Sequence, residues 1–263
     1  MSQPAARSSY LDHEGPIAMA HRGFSAEGLE NSMAAFAAAV ELGYHYVETD
    51  THATADGVAV ALHDASLDRV TDARGAIADL PWHVVAGARI HGREPVPRLD
   101  ELIGAWPDLR LNIDAKSDHA VVPLVAAIER ARAHDRVCIG SFSDRRRREV
   151  LRRLSRPVAT SAGQGAAAAF RIGSSVPGRT GRRLAGRALR SVDALQVPIA
   201  HRRIPVVTAS TLAAAHTAGV PVHVWTVNDR AQMEELLDLG VDGLISDRAD
   251  VLKDVLVARG QWH

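Results

Sequence analysis

Cysteine is almost missing from this 263-residue chain: Cys138 is the single one, which excludes an intrachain disulfide and any zinc site built from several thiolates. Set in the apolar run Val137-Cys138-Ile139, it reads as a buried structural thiol. No net charge exists either. Lys+Arg and Asp+Glu number 31 each, so no global field draws the chain to nucleic acid or an anionic membrane. Any phosphate must be met by a local cluster. No run of about 18 apolar residues is present, which leaves no membrane span. Residues 1–16 are polar and lack the apolar core of a secretory signal. These absences describe a cytoplasmic, soluble chain, and its 46% hydrophobic content and length suit one barrel-sized domain over residues 1–263.

What is present is a rhythm. Short apolar runs lie at 17–20, 46–49, 58–62, 109–113, 137–139, 157–160, 194–197, 222–227 and 243–245, and helix-like segments at 32–42, 119–134, 144–154, 210–218, 230–239 and 249–258 fall between many of them. Strand followed by helix, repeated, predicts a parallel sheet with helices outside. Nine strand candidates exceed an eight-stranded barrel by one, and 157–160 or 194–197 is the expected peripheral run. No glycine-rich phosphate loop follows the first strand, which counts against a doubly wound dinucleotide-binding sheet. Residues 65–99 carry no amphipathic period and read as an excursion from the barrel. Residues 171–190 hold Arg179, Arg182, Arg183, Arg187 and Arg190, either a solvated loop plus helix or a basic lip for an anionic substrate or lipid surface.

The polar residues on the strand candidates are the informative ones. Alternation along Tyr46-Val47-Glu48-Thr49-Asp50 puts Glu48 and Asp50 on one face, a carboxylate pair suited to an oxygen-preferring cation. Asp56-Gly57 marks a two-residue turn. If it closes a hairpin, paired residues sum to 113 and His63 stands opposite Asp50; if the chain re-enters as a parallel strand, His63 reaches the same rim. In Leu111-Asn112-Ile113-Asp114-Ala115-Lys116, the residues Asn112, Asp114 and Lys116 share a face. Inside a barrel these charges need each other, a metal or an anionic ligand. The first strand ends in His21-Arg22-Gly23, where barrel enzymes keep catalytic groups, and Arg22 suits a bidentate phosphate contact. Asn31 reads equally as the N-cap of the following helix or as a functional residue. Trp225 is either an apolar wall at the mouth or a core residue. The histidines at 52, 83, 91, 119, 134, 201, 216 and 223 read as surface or packing residues.

The ordered set His21-Arg22-Gly23, Glu30-Asn31-Ser32, Glu48-Thr49-Asp50, Asp56-Gly57, His63-Asp64 with Leu67, Arg69 and Thr71, Asn112 to Lys116, Ser141-Phe142, Trp225 to Asn228 and Asp242 to Asp247 resembles the glycerophosphodiester phosphodiesterase family, from about residue 17 to 247. The resemblance implies an α/β fold, a (β/α)8 TIM-type barrel with a small insertion after the His63-Asp64 strand. It implies cleavage of a glycerophosphodiester to glycerol 3-phosphate and an alcohol. By the same resemblance, Glu48, Asp50 and Asp114 match positions for one divalent cation, Mg2+ or Ca2+. His21 and His63 match the acid/base pair, and Arg22 and Lys116 the phosphate contacts. Asp114 departs from the glutamate more usual there. Relatives of this type imply attack by the substrate's own glycerol hydroxyl, then opening of a cyclic phosphate by water. Three rivals stand beside this reading: a lysophospholipase D or phospholipase-type enzyme of the same superfamily, a zinc amidohydrolase, whose His-x-His is missing at the first strand, and a non-catalytic phosphodiester-binding protein.

Overall fold

The computed structural model describes residues 9–25 and 27–263; the first eight residues of the expected signal-free N-terminal stretch lie outside the described residues. Eight parallel strands form the sheet: β1 (Ile17–His21), β2 (Tyr46–Ala53), β3 (Arg110–Ala115), β4 (Val137–Gly140), β5 (Ala159–Thr160), β6 (Leu195–Pro198), β7 (Val222–Trp225) and β8 (Gly243–Ser246). β1 lies between β2 and β8, and the order runs on through β3, β4 and β5 on one side and β7 and β6 on the other. A parallel bridge from Ser161 to Ala194 joins the two ends beyond β5 and β6, and the Ala162 N–H donates to the Ala194 carbonyl at 3.1 Å. The curl therefore meets itself as a barrel.

Both runs expected to be peripheral are barrel strands. The supernumerary run is 58–62, whose Ala59–Ala61 pairs antiparallel to β2. A strand reached by a tight turn cannot return parallel, because a parallel neighbour needs a long crossover. The hairpin register is also one residue from the expected one: Thr51 faces Ala61 and His52 faces Val60, a sum of 112. Thr54 and Val58 close a three-residue loop in which Gly57 takes φ +81°, a turn with a left-handed third residue rather than a two-residue one. His63 still arrives at the Asp50 rim, since the Leu62 N–H donates to the Asp50 carbonyl at 3.2 Å.

Helices α1 (Met33–Glu41), α2 (Leu99–Ala105), α3 (Val121–Ala131), α4 (Asp144–Arg153), α5 (Gln164–Ser175), α6 (Gly178–Ala188), α7 (Ala209–Thr217), α8 (Arg230–Leu239) and α9 (Ala249–Ala258) surround the sheet. Their starts follow from capping: Ser32, Ser143, Thr208 and Asp229 each accept a backbone N–H of the first turn through their side chains. Outward strand residues such as Val47, Leu111, Ile113, Val222 and Val224 join the helices in the main core. Inward residues Ile17, Met19, Tyr46, Cys138, Ala159 and Ile245 fill the lower barrel with Tyr10, whose carbonyl accepts from the Tyr46 hydroxyl at 2.7 Å. Cys138 is buried as expected, and burial raises its thiol pKa. The excursion has its own small core, including Val60, Leu62, Leu67, Val70, Ile77 and Ile90. Among the described residues no helix is long and apolar enough to cross a membrane.

Candidate active site

With the lower barrel filled by apolar side chains, the polar inward residues are left at the C-terminal ends of the strands. Parallel register sets His21 beside Glu48 and Glu48 beside Asn112, and one layer higher sets Asp50 beside Asp114. The mouth opens into a cavity of about 590 Å³, lined on this side by His21, Arg22, Glu48, Asp50, His63, Asp114 and Lys116. Seven of the eight residues expected at the site thus share one rim, and Trp225 lines the opposite wall, half-exposed and edge-on to Phe142 at 5.9 Å. Its ring lines the cavity and also packs against the apolar core of the lower barrel.

The bend after β1 explains the His-Arg-Gly text. Arg22 and Asn31 both take left-handed φ, +56° and +58°. Gly23 sits at φ +81° with α1 so close that a Cβ would lie 2.6 Å from the Ala35 carbonyl carbon, so only glycine fits. The N-cap of α1 is Ser32, not Asn31. Asn31 is instead buried inward, donating Nδ2 to Asp50 Oδ2 at 3.0 Å and accepting from Thr49 Oγ1 at 2.8 Å. It orients the carboxylate.

Electrostatics divide the three carboxylates. Burial raises the Asp50 pKa, but Lys116 Nζ at 2.8 Å and Arg22 Nε at 3.1 Å outweigh it and hold the pKa low. Glu48 is pushed up to about 8, by burial first and by Asp50 second. Lys116 also meets Asp114 Oδ2 at 2.6 Å, while Asp114 Oδ1 is buried without a hydrogen-bond partner. Among the described residues no group of three His, Cys, Asp or Glu side chains is disposed to hold a metal ion. Glu48, Asp50 and Asp114 are gathered, but Lys116 bridges two of them. The donor chemistry nevertheless fits a hard cation: all oxygens, with Asp114 Oδ1 left without a hydrogen-bond partner.

Each histidine has a carboxylate partner that sequence reasoning left out of the site. His21 Nδ1 lies 2.6 Å from Asp247 Oδ1, and its Nε2 is 3.7 Å from Glu48. Burial pulls the His21 pKa down, but Glu48 and Asp247 outweigh it and the net shift is upward. Asn228 Nδ2 fixes Asp247 Oδ2 at 2.8 Å. His63 Nδ1 lies 2.7 Å from Asp64, whose pKa is drawn down to about 2, chiefly by Arg69 at 2.5 Å and then by His63, against the opposing pull of burial. Arg69 continues to Glu30 at 2.6 Å, and Arg22 meets Glu30 at 2.9 Å. Asp64, Arg69, Glu30 and Asp247 all stand in the motif text, so the signal was there; their pairing depends on the turns. Of the other histidines, His201 lines the cavity, and His223 is buried inside the barrel, where burial lowers its pKa to about 4. In the arginine-rich segment, Arg171 lines the cavity, whereas Arg179, Arg182, Arg183, Arg187 and Arg190 face solvent in and after a second helix, α6.

Comparisons with known proteins find relatives over nearly the whole chain. Residues 21–251 match the model of the glycerophosphoryl diester phosphodiesterase family. A Mycobacterium tuberculosis protein described as a probable glycerophosphodiester phosphodiesterase 2 is 47% identical over 254 residues, covering 96% of this chain and 95% of that one. Among solved structures, a Silicibacter pomeroyi protein superposes with a TM-score of 0.80 at 21% identity, covering 97% of this chain and 100% of the other. An Oleispira antarctica phosphodiesterase in complex with its product sn-glycerol-3-phosphate does so with a TM-score of 0.75 at 21% identity, covering 92% and 97%.

Proposed function

The chain belongs to the glycerophosphoryl diester phosphodiesterase family, and from that premise we propose that it hydrolyses glycerophosphodiesters to glycerol 3-phosphate and an alcohol, with His21 and His63 as the acid/base pair. The observation that carries the reading is the pairing of each histidine with its own carboxylate at one rim, His21 with Asp247 and His63 with Asp64. In both rings Nδ1 is taken, which fixes the tautomer and leaves Nε2 for a substrate oxygen. One Nε2 accepts the proton of the attacking hydroxyl while the other donates to the leaving alkoxide.

Arg22 and Lys116 supply the positive charge that holds the phosphodiester, Arg22 through its planar fork and Lys116 as a point charge. A divalent cation, magnesium or calcium, held by Glu48, Asp50 and Asp114 would neutralise the non-bridging phosphate oxygens. The glycerol 2-hydroxyl attacks phosphorus first, its proton passing to one histidine and the alcohol leaving with a proton from the other. Water then opens the cyclic phosphate with the roles reversed. Trp225 offers its ring to the glycerol carbons.

The small-molecule diester is the partner this cavity fits. The test is product identity from glycerophosphocholine with the purified chain. Glycerol 3-phosphate plus free choline is expected; phosphocholine plus glycerol, or no product with either magnesium or calcium, would contradict the reading.

A further inference from the structure

From the start of α5 to the end of the hairpin that follows β6, residues 164–205 hold eight arginines and a single acidic residue, Asp193. The chain as a whole carries no net charge, so its remaining residues hold the balancing excess of acid and the molecule has a basic pole. Elsewhere arginines are matched: Arg152 and Arg153 meet Glu149, and Arg259 meets Asp238, at 2.6 to 2.9 Å. Among the described residues, none of the eight has a carboxylate within ion-pair distance. Asp193 is half-buried and accepts the Thr160 N–H at 3.0 Å.

The pole has a fixed shape. α6 lies against α5 at backbone distance: a Cβ on Gly173 would sit 2.7 Å from the Ala185 nitrogen and 3.0 Å from the Leu184 carbonyl carbon. The buried residues of α6 are small, Gly181 and Ala185, four apart and so on one face. Arg179, Arg182, Arg183 and Arg187 on α6 and Arg190 after it are left exposed. α5 is tied in turn to the hairpin, Ala200–His201 paired with Ile204–Pro205, by Arg171, whose Nε donates to the Pro205 carbonyl at 3.1 Å. The hairpin's tip is Arg202-Arg203, both exposed. Three large aliphatic side chains stand open in the same segment: Ile172 is 69% exposed, Ile204 58% and Leu184 47%. The Gly173 contact and the Arg171 tie bring their three elements into one patch.

Unpaired arginines interleaved with exposed aliphatic groups have the composition of an interfacial surface, basic for headgroups and apolar for the boundary beneath them. Nucleic acid is served worse. Phe170 is the only Phe, Tyr or Trp of the segment and is buried, so no such ring is offered for base stacking. We infer that α6, the outer end of α5 and the hairpin tip dock the chain on an anionic lipid bilayer. The arginines meet lipid phosphates as planar, bidentate donors, and Leu184, Ile172 and Ile204 enter the headgroup boundary. The attraction acts within about 8 Å at physiological salt, so it holds the chain at the surface without a net charge on the whole molecule.

The experiment is sedimentation with vesicles of phosphatidylcholine alone and of an equal mixture with phosphatidylglycerol. The chain is expected to sediment with the mixed vesicles at low salt, to be released as salt is raised, and to stay in solution with phosphatidylcholine. Arg182→Gln combined with Arg183→Gln should weaken the partition about 25-fold, about fivefold for each arginine near the surface. Leu184→Ser should weaken it about tenfold. All three positions are exposed, so Tm should hold. No sedimentation with the mixed vesicles, equal binding to both compositions, or a partition indifferent to the arginine pair overturns the inference. Tighter binding to a single-stranded RNA oligonucleotide than to the mixed vesicles overturns it too, and gives the face to nucleic acid. No diester is cleaved in the assay, so its outcome is separate from that of the proposed reaction.

Discussion

On the β1–β3 side of the barrel mouth, charge is matched at short range: Asp50 alone meets Lys116, Arg22 and Asn31 within 3.1 Å. On the β5–β7 side the cavity wall is largely alanine, isoleucine, valine and tryptophan, interrupted by Gln164, Arg171, Gln196 and His201, and Arg171 donates to the Pro205 carbonyl at 3.1 Å. The first half has the fixed charges and donors that the proposed reaction requires for charge developing on the phosphate. The second offers area without direction. Substitutions in the first half should change kcat, and those in the second should change which diester is preferred.

The sharpest way to break that division is at the histidines. His21→Ala and His63→Ala should each lower kcat by about 10²–10⁴-fold with the fold intact; steady-state kinetics alongside circular dichroism checks this, and near-wild-type turnover in either removes that histidine from the mechanism. Asp247→Asn and Asp64→Asn should cost less, about 10–100-fold in kcat, the worth of a charge-assisted hydrogen bond to the ring. A loss as large as that of the histidine itself would give the carboxylate a direct part in proton transfer.

A third prediction concerns stability. The Glu48 pKa is raised on folding, so its contribution is fully present below the ordinary carboxyl range and is lost as pH climbs towards about 8. Each unit of that rise is worth about 1.4 kcal/mol. The cation-free protein should therefore lose several degrees of Tm between pH 5 and pH 8, and Glu48→Gln should flatten the slope; an unchanged slope in that variant would locate the proton elsewhere. The smallest effect belongs to the far wall: Arg171→Met, which removes the hydrogen bond to the Pro205 carbonyl, should raise KM for glycerophosphocholine about threefold while kcat holds.

The two halves also differed in how far the sequence disclosed them. Inward charges at period two, as in Glu48 and Asp50 or Asp114 and Lys116, have few explanations in a barrel, so their shared rim was legible. The carboxylate partners were not, because Asp247 reaches His21 across 226 residues and depends on β1 and β8 being neighbours. Asn31 stayed open between cap and site because its left-handed φ has no signature in the text. The apolar half was least legible. β5 has only two residues, too few to show a period, and the runs of β5 and β6 were the two between which a peripheral one was expected. The far wall of the cavity is assembled from α5 and a short hairpin, Ala200–His201 paired with Ile204–Pro205, whose apolar residues carry no chemistry of their own.

The decisive measurement is glycerol 3-phosphate release from glycerophosphocholine before chelation, after it, and after magnesium or calcium is restored. Chelation is expected to abolish release and one of the two ions to restore it, with Asp114→Asn failing to respond. Release that is indifferent to the chelator and unchanged in Asp114→Asn would contradict a metal-dependent reaction.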